Sequence, residues 1–132
     1  MPALNQIKLL ISLAQIDGKL ADRERNYILN VGRTNGLASD LIIPLFDQRH
    51  PLIIPPDLTD DQKFDYLFTL VQLMKIDDRM YKEEMMFCSK IAGNLGYIDQ
   101  VMFELLLHVK ADVMEKDEII NLKEIMQKYL KK

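Results

Sequence analysis

The stretch LISLAQIDGKLADRERNYI, at residues 10–28, sets the organisation of the chain because a diverged copy of it follows at residues 70–88. The copy reads LVQLMKIDDRMYKEEMMFC. Each copy has an apolar run, then an Asp, and then a Glu seven residues further on. We call this pattern the acidic phrase, and its residues are Asp17, Glu24, Asp77, Asp78 and Glu84.

The repeat extends beyond the acidic phrase. When the chain is aligned on itself with Leu10 opposite Leu70, seven identities occur between positions 10 and 46, without a gap. The identical pairs are Leu10/Leu70, Leu13/Leu73, Ile16/Ile76, Asp17/Asp77, Glu24/Glu84, Gly36/Gly96 and Leu45/Leu105. The matched breaks between apolar runs support the duplication more strongly than the identities do. We therefore predict two related three-helix halves that bury their apolar faces on each other.

Composition limits the class of protein. The chain has 132 residues, 48% of them hydrophobic, which predicts a real core rather than disorder. The formal charge of −3 argues against a nucleic-acid partner, because phosphate contacts need clustered Lys and Arg. No apolar run approaches the roughly 20 residues of a membrane span, and a single cysteine fits a reducing compartment. We predict a cytoplasmic protein without direct membrane insertion.

Apolar residues at three- and four-residue steps predict helices throughout, and no segment alternates like a strand. Asn35-Gly36 and the Gly96 position suit helix ends in the left-handed conformation. Ser39 and Asp99 are predicted to cap the helices that follow them, and Thr59-Asp60-Asp61-Gln62 has the spacing of a capping box. The result is one all-α domain over 1–132, a bundle of about seven helices. Its parts are halves at about 3–49 and 59–110, a proline-containing connector at 50–58, and a C-terminal helix at about 115–130.

Two interpretations of the acidic phrase follow from its residues. An EF-hand is excluded, because Leu13 and Gln15 would occupy its first and third ligand positions. In the structural interpretation, Glu24 and Glu84 lie in the first turn of a helix, where the dipole favours a negative charge, and Gly18 adopts an unusual backbone angle.

In the functional interpretation, all five carboxylates of the acidic phrases converge on one patch. Clustered carboxylates repel one another unless a cation or a basic partner neutralises them. Mg²⁺ or Ca²⁺ suits such oxygens better than Zn²⁺ does. This interpretation predicts a metal site made of Asp17, Glu24, Asp77, Asp78 and Glu84, or a docking patch for a basic protein.

The phrase resembles the TerB-like family, named for a bacterial tellurite-resistance protein, whose pattern is an apolar helix, Asp-Gly, a short gap and a Glu that begins the next helix. Asp17, Gly18, Glu24 and Ile28 match that pattern, and the second copy matches through its Asp and Glu. The resemblance implies a seven-helix fold with internal pseudo-symmetry and an acidic surface associated with metal binding. It also implies a link to stress-response or membrane-associated complexes, and a related helical region precedes the J-domain of some cochaperones.

We therefore expect a non-enzymatic, stress-associated binding module whose acidic patch holds a divalent cation or a basic partner. The alternative is a protein-interaction or homodimerisation domain that acts through apolar surface, without a metal. That surface would involve the connector residues 51–56 and the methionine-rich second half, where Met85 and Met86 are adjacent. Enzymatic activity is the third interpretation, and it requires a closed pocket with a carboxylate beside His108, one helical turn from Asp112. Cys88 is predicted to be buried, because it aligns with Ile28.

Overall fold

The computed structural model describes residues 2–16, 18, 20–76 and 82–131. Over these residues it confirms the predicted all-α bundle. The elements are α1 (Pro2–Ala14), α2 (Asp22–Thr34), α3 (Ser39–Ile42), a 3-10 helix (Ile43–Asp47), α4 (Asp60–Ile76), α5 (Lys82–Leu95), α6 (Val101–His108) and α7 (Lys116–Gln127).

The elements of the two halves coincide when the first half is aligned on the second with Leu10 opposite Leu70. In this alignment, α1 falls within α4, α2 covers all but the last residue of α5, and α3 with the 3-10 helix overlaps α6. The helix α7 has no counterpart in the first half. Pro44 explains why the third element of the first half is a short helix that tightens into a 3-10 turn.

Both halves end their second helix with the same turn. Gly36 and Gly96 have φ of 81° and 99°, a left-handed backbone that glycine adopts without a steric penalty. Leu37 N donates to Gly32 O at 2.8 Å, and Tyr97 N donates to Ala92 O at 3.0 Å, at equivalent positions. This hydrogen bond satisfies a carbonyl that the helix end would otherwise leave open.

A polar side chain from the first helix of each half, or from the turn that ends it, caps the end of the third element. Gln15 Nε2 donates to Phe46 O at 3.3 Å and to Gln48 O at 2.9 Å. Lys75, the counterpart of Gln15 in the second half, donates through Nζ to Leu106 O and Val109 O. The duplication therefore preserves this contact although a neutral amide has been exchanged for an ammonium group.

The core lies around α1 and α4, which pack on each other, with α2 against α1 and α5 against α4. Ile28 and Cys88 are both fully buried at equivalent positions, so the predicted burial of the cysteine is confirmed. Burying one such apolar side chain contributes about 1.5–3 kcal/mol, so the shared core is the main source of stability.

The predicted helix caps have mixed outcomes. Thr59 and Gln62 form the capping box, with Thr59 N donating to Gln62 Oε1 at 2.9 Å and Gln62 N donating to Thr59 Oγ1 at 3.1 Å. The prediction that Ser39 and Asp99 cap helices through their side chains is wrong. The residues at those caps are Ala38 and Gln100, and neither helix has a side-chain cap bond.

The C-terminal residues are fastened to the turn between α5 and α6. Ile98 N donates to Tyr129 O at 2.8 Å, and Lys131 N donates to Gly96 O at 2.7 Å. These bonds accompany an isolated antiparallel β-bridge between Tyr97 and Leu130. No helix within the described ranges has the length and apolar character that crossing a membrane would require.

Candidate functional site

Glu24 lies in the first turn of α2 and is only 3% exposed. Its Oε1 accepts a hydrogen bond from Ala21 N at 3.3 Å. A carboxylate at this position also interacts favourably with the positive end of the helix dipole. The predicted placement of Glu24 at a helix start is therefore confirmed.

Glu84 occupies the equivalent place in α5 and is 2% exposed. It lies one helical turn before Cys88, which is also buried. Burial, and to a smaller extent the Glu84 charge, raises the pKa of the Cys88 thiol from 9.0 to about 12. The thiol is therefore held in its protonated form, which is a poor nucleophile.

The remaining residues of the predicted metal site, Asp17, Asp77 and Asp78, lie outside the described residues. Gly18 is described and has φ of 80°, as predicted. Within the described ranges, no three His, Cys, Asp or Glu side chains are grouped closely enough to hold a metal ion. The convergence of the two acidic phrases thus stays a prediction.

A cleft of about 690 Å³ lies between α2, α4 and the segment at 111–119 that leads into and begins α7. Along α2 its lining extends from Arg23 to Asn35, and along α4 it extends from Asp65 to Ile76. At a rise of about 1.5 Å for each residue, this stretch of α2 is about 18 Å long. The cleft is therefore elongated, with the length of about three helical turns.

Gln72 connects the sides of this cleft. Its Oε1 accepts a hydrogen bond from the Tyr27 hydroxyl at 2.8 Å, and its Nε2 donates to Lys110 O at 2.9 Å and to Asp112 O at 3.0 Å. Burial raises the pKa of Tyr27, so its hydroxyl stays protonated and able to donate. The buried amide of Gln72 thus positions the 110–112 segment as one wall.

Gln6 extends from α1 toward the other end of the cleft. Its Nε2 donates to Thr69 Oγ1 at 3.1 Å and to Asp65 O at 3.2 Å. Burial raises the pKa of the Asp65 carboxyl, and nearby Lys123 acts in the opposite direction. This end of the cleft is polar, but its buried amide already has hydrogen-bond partners.

The structure overturns the predicted relation between His108 and Asp112. The helix α6 ends at His108, so the two residues do not lie one turn apart on a helix. The carboxylate beside His108 is Glu104, with Oε2 at 3.3 Å from Nε2, and Glu104 Oε1 accepts from the Tyr129 hydroxyl at 3.0 Å. The His108 side chain is 51% exposed, so this group lies on the surface and not in a closed pocket.

The predicted apolar surface is divided among several places. Leu52 and Ile53 of the connector are 44% and 53% exposed, whereas Ile54 packs against the core. On α6, Phe103 and Leu107 lie one turn apart and are 70% and 78% exposed. A homodimer through such a face stays a prediction.

The two adjacent methionines point to different surroundings. Met86 is 60% exposed, whereas Met85 packs partly against the core. Together with Lys82 and Ser89 they line a shallow depression on α5. The methionine-rich half thus contributes one solvent-facing Met on this helix rather than a continuous apolar strip.

Comparison with known proteins gives no match among protein-family models, curated proteins or solved structures.

Sequence reasoning missed the cleft, although two signals pointed to it. Gln6 and Gln72 each interrupt an apolar helical run, and a polar residue at a core-facing position needs a buried partner. The partners themselves belong to distant segments, Thr69 for Gln6 and the 110–112 wall for Gln72. Helical spacing within one segment carries no information about such contacts.

Proposed function

We propose that this protein is a non-enzymatic interaction module that binds a segment of a partner protein in the cleft between α2, α4 and residues 111–119. The observation that carries the proposal is the form of that cleft, which is about 690 Å³ and elongated along two helices. Its rim residues Asn26, Asn30 and Val113 are exposed, so the cleft is open along its length rather than closed over a small molecule.

The lining supports recognition of a polypeptide. Apolar contact is available from Phe68, Ile76 and Met114, while amide groups stand on the α2 side. Binding sites combine such apolar area with a few polar groups that fix the orientation of the ligand. The Lys110–Glu118 ion pair at 2.6 Å and the two bonds of Gln72 hold the third wall, so the cleft is largely formed before a partner arrives.

A display library of peptide segments, encoded by random fragments of the source organism's genome, tests this proposal. The protein is used as selection target in three forms: wild type, Asn26→Trp and Asn121→Trp. Asn26 is an exposed cleft residue, whereas Asn121 is an exposed asparagine on α7 that does not line the cleft. We expect enriched segments that bind wild type and Asn121→Trp equally and bind Asn26→Trp at least about tenfold more weakly.

Segments that bind all three forms with equal affinity, or no enrichment at all, would overturn the proposal. Circular dichroism melting of each form provides the folding control. Both substituted positions are exposed, so equal melting is expected.

As a second candidate function, we propose that the acidic phrases hold a divalent cation, with Mg²⁺ or Ca²⁺ preferred over Zn²⁺. Its support is the matching burial of Glu24 and Glu84 at the helix start after each phrase. The TerB-like resemblance, which rests on the same residues, agrees with this candidate.

Thermal unfolding during titration with calcium, magnesium and zinc tests the cation site in wild type and in Asp17→Asn/Asp77→Asn. A cation at about 100 times its dissociation constant would stabilise wild type by about 2.7 kcal/mol and leave the double variant unchanged. Melting that no ion alters in either protein would remove this candidate.

A further inference from the structure

We infer that Glu104 and His108, at the end of α6, form a binding site for a divalent transition-metal ion such as Zn²⁺. The ligand atoms are His108 Nε2 and Glu104 Oε2, and Tyr129 holds the carboxylate in place. Neither ligand residue lines the cleft or belongs to the acidic phrases. The site is therefore separate from both functions proposed above.

The two ligand atoms already have the separation that a tetrahedral ion requires. His108 Nε2 lies 3.3 Å from Glu104 Oε2. Zn²⁺ binds imidazole nitrogen at about 2.0–2.1 Å and carboxylate oxygen at about 2.0–2.2 Å, so two such ligands of one tetrahedral ion are about 3.3–3.5 Å apart. A charge-assisted hydrogen bond between the same groups is shorter, at about 2.7–2.9 Å. An ion therefore fits the pair with both ligand atoms at their present separation.

A tyrosine distant in sequence orients the carboxylate. The Tyr129 hydroxyl donates to Glu104 Oε1 at 3.0 Å, while Oε2 faces the imidazole. The main chain of Tyr129 is itself fixed, because its carbonyl accepts from Ile98 N at 2.8 Å. Hydrogen bonds that hold a ligand side chain in this way typically change metal affinity by about 10- to 100-fold. Glu104 is thus positioned as a ligand before an ion binds.

The chemistry of the pair favours a transition metal over Mg²⁺ or Ca²⁺. Imidazole nitrogen binds Zn²⁺, Cu²⁺ and Ni²⁺, whereas Mg²⁺ and Ca²⁺ take oxygen ligands. When the His108 ring is neutral with its proton on Nδ1, the Nε2 lone pair faces the carboxylate, and a cation between them removes that repulsion.

The pair is accessible to an ion from solvent, since the side chains of His108 and Glu104 are 51% and 25% exposed. In the part of the chain that the structure describes, no third His, Cys, Asp or Glu joins them closely enough to form a complete metal site. Water therefore supplies the remaining ligands. An ion with only two protein ligands is expected to exchange with solvent rather than to be held permanently.

The internal repeat does not require this pair, because the counterparts of Glu104 and His108 in the first half are Pro44 and Gln48. The helix α6 has only eight residues and ends at His108. An ion bound by both side chains would link its last two turns. The 110–112 wall of the cleft follows directly, so metal binding would stabilise the helix end from which this wall departs.

Isothermal titration with zinc chloride tests the site, and the two histidines of the chain provide a matched control. His50 Nε2 lies 2.9 Å from Leu45 O, so this ring nitrogen is already occupied. We expect wild type and His50→Ala to bind zinc equally, and His108→Ala and Glu104→Gln each to bind it at least about tenfold more weakly. Tyr129→Phe should lower the affinity about tenfold.

Two further measurements assign the ion to this pair. In NMR spectra, paramagnetic Cu²⁺ should broaden the imidazole proton signals of His108 and leave those of His50 sharp. The double variant Asp17→Asn/Asp77→Asn should keep this zinc site, because its substitutions are confined to the acidic phrases. Circular dichroism melting without metal checks that every variant is folded.

Four results would overturn the inference. Wild type that binds no zinc would remove the site. Unchanged affinity in Glu104→Gln or Tyr129→Phe would mean that a lone surface histidine holds the ion. Equal broadening of both histidines would show unspecific binding, and loss of all zinc binding in Asp17→Asn/Asp77→Asn would place the ion at the acidic phrases. The cleft proposal is tested with peptide segments and is affected by none of these outcomes.

Discussion

The two halves of the molecule share their internal contacts and differ in the chemistry of their surfaces. Both bury a Glu at the start of the second helix and end that helix on a left-handed glycine. Their outward faces differ in chemistry. In the internal alignment, Asn26 and Asn30 of α2 are equivalent to Met86 and Lys90 of α5. The two halves thus share the contacts that hold their fold. Only α2 lines the cleft, and its counterpart α5 does not.

The largest expected effect tests whether the shared core is equally important in both halves. Leu10 and Leu70 are equivalent and essentially unexposed. We expect Leu10→Ala and Leu70→Ala each to lower the free energy of unfolding by about 2–5 kcal/mol, because each leaves a cavity at the α1–α4 centre. Urea denaturation measures both. A loss below about 1 kcal/mol in one half alone would break the equivalence.

A pH-dependent difference distinguishes Cys88 from its counterpart Ile28. The folded-state pKa of the thiol, about 12, lies above its ordinary value of 9.0, so the unfolded chain releases this proton first. The contribution of the Cys88 thiol to the free energy of unfolding is fully present below pH 9. It is lost as the pH rises toward 12, by up to about 1.4 kcal/mol per pH unit.

Denaturation of wild type and Cys88→Ala between about pH 8 and about pH 10.5 measures this effect. Buried Tyr66, whose pKa is raised to about 12, makes both proteins lose stability at alkaline pH. Wild type should lose stability more steeply, since only it has the thiol. Parallel curves would contradict the assignment.

The third comparison concerns Gly32, whose counterpart in the second half is Ala92. A Cβ at Gly32 would overlap Ile42 Cδ1, so Gly32→Ala forces the buried isoleucine to move. Overpacking of about 1–3 kcal/mol exceeds the helix-propensity gain of about 1 kcal/mol, which predicts a net loss of about 1 kcal/mol.

A second substitution identifies the cause of that loss. Gly32→Ala/Ile42→Val removes the overlapping methyl group and should recover most of the stability in thermal denaturation. Gly32→Ala that is as stable as wild type would mean that Ile42 adapts without cost.

The last comparison, with an effect of similar size, concerns the cap of the third element, where Lys75 replaces Gln15. Lys75→Met removes both donated hydrogen bonds and should cost about 1 kcal/mol, whereas Lys75→Gln should cost less because an amide can still donate.

Burial also lowers the pKa of Lys75, so its contribution to stability rises with pH between that lowered pKa and 10.5. Urea denaturation at neutral and alkaline pH compares the variants, and equal losses for Met and Gln would show that the amide does not act as a cap.

Sequence reasoning was most successful where the physics is local. Helical spacing, the glycine ends and the position of Glu24 follow from neighbours within a few residues, and the internal alignment predicted the second half from the first. The prediction for Asp112 was wrong because the end of α6 is capped by Lys75, a residue of a different helix. The cleft was missed because the bonds of Gln72 to the 110–112 wall exist only in the folded chain. The predicted convergence of Asp17, Asp77 and Asp78 with the two Glu residues stays a prediction, because these Asp residues lie outside the described ranges.

The connector has a consequence for how the molecule could be divided. The side chains of Leu52 and Ile53 are about half exposed. The two halves are held together chiefly by the packing of α1 against α4 rather than by the connector. Cleavage between Leu52 and Ile53 would turn an intramolecular fold into a two-fragment complex that assembles by complementation. Its melting temperature would then depend on concentration, and the dissociation constant of the fragments would report how strongly the two halves associate.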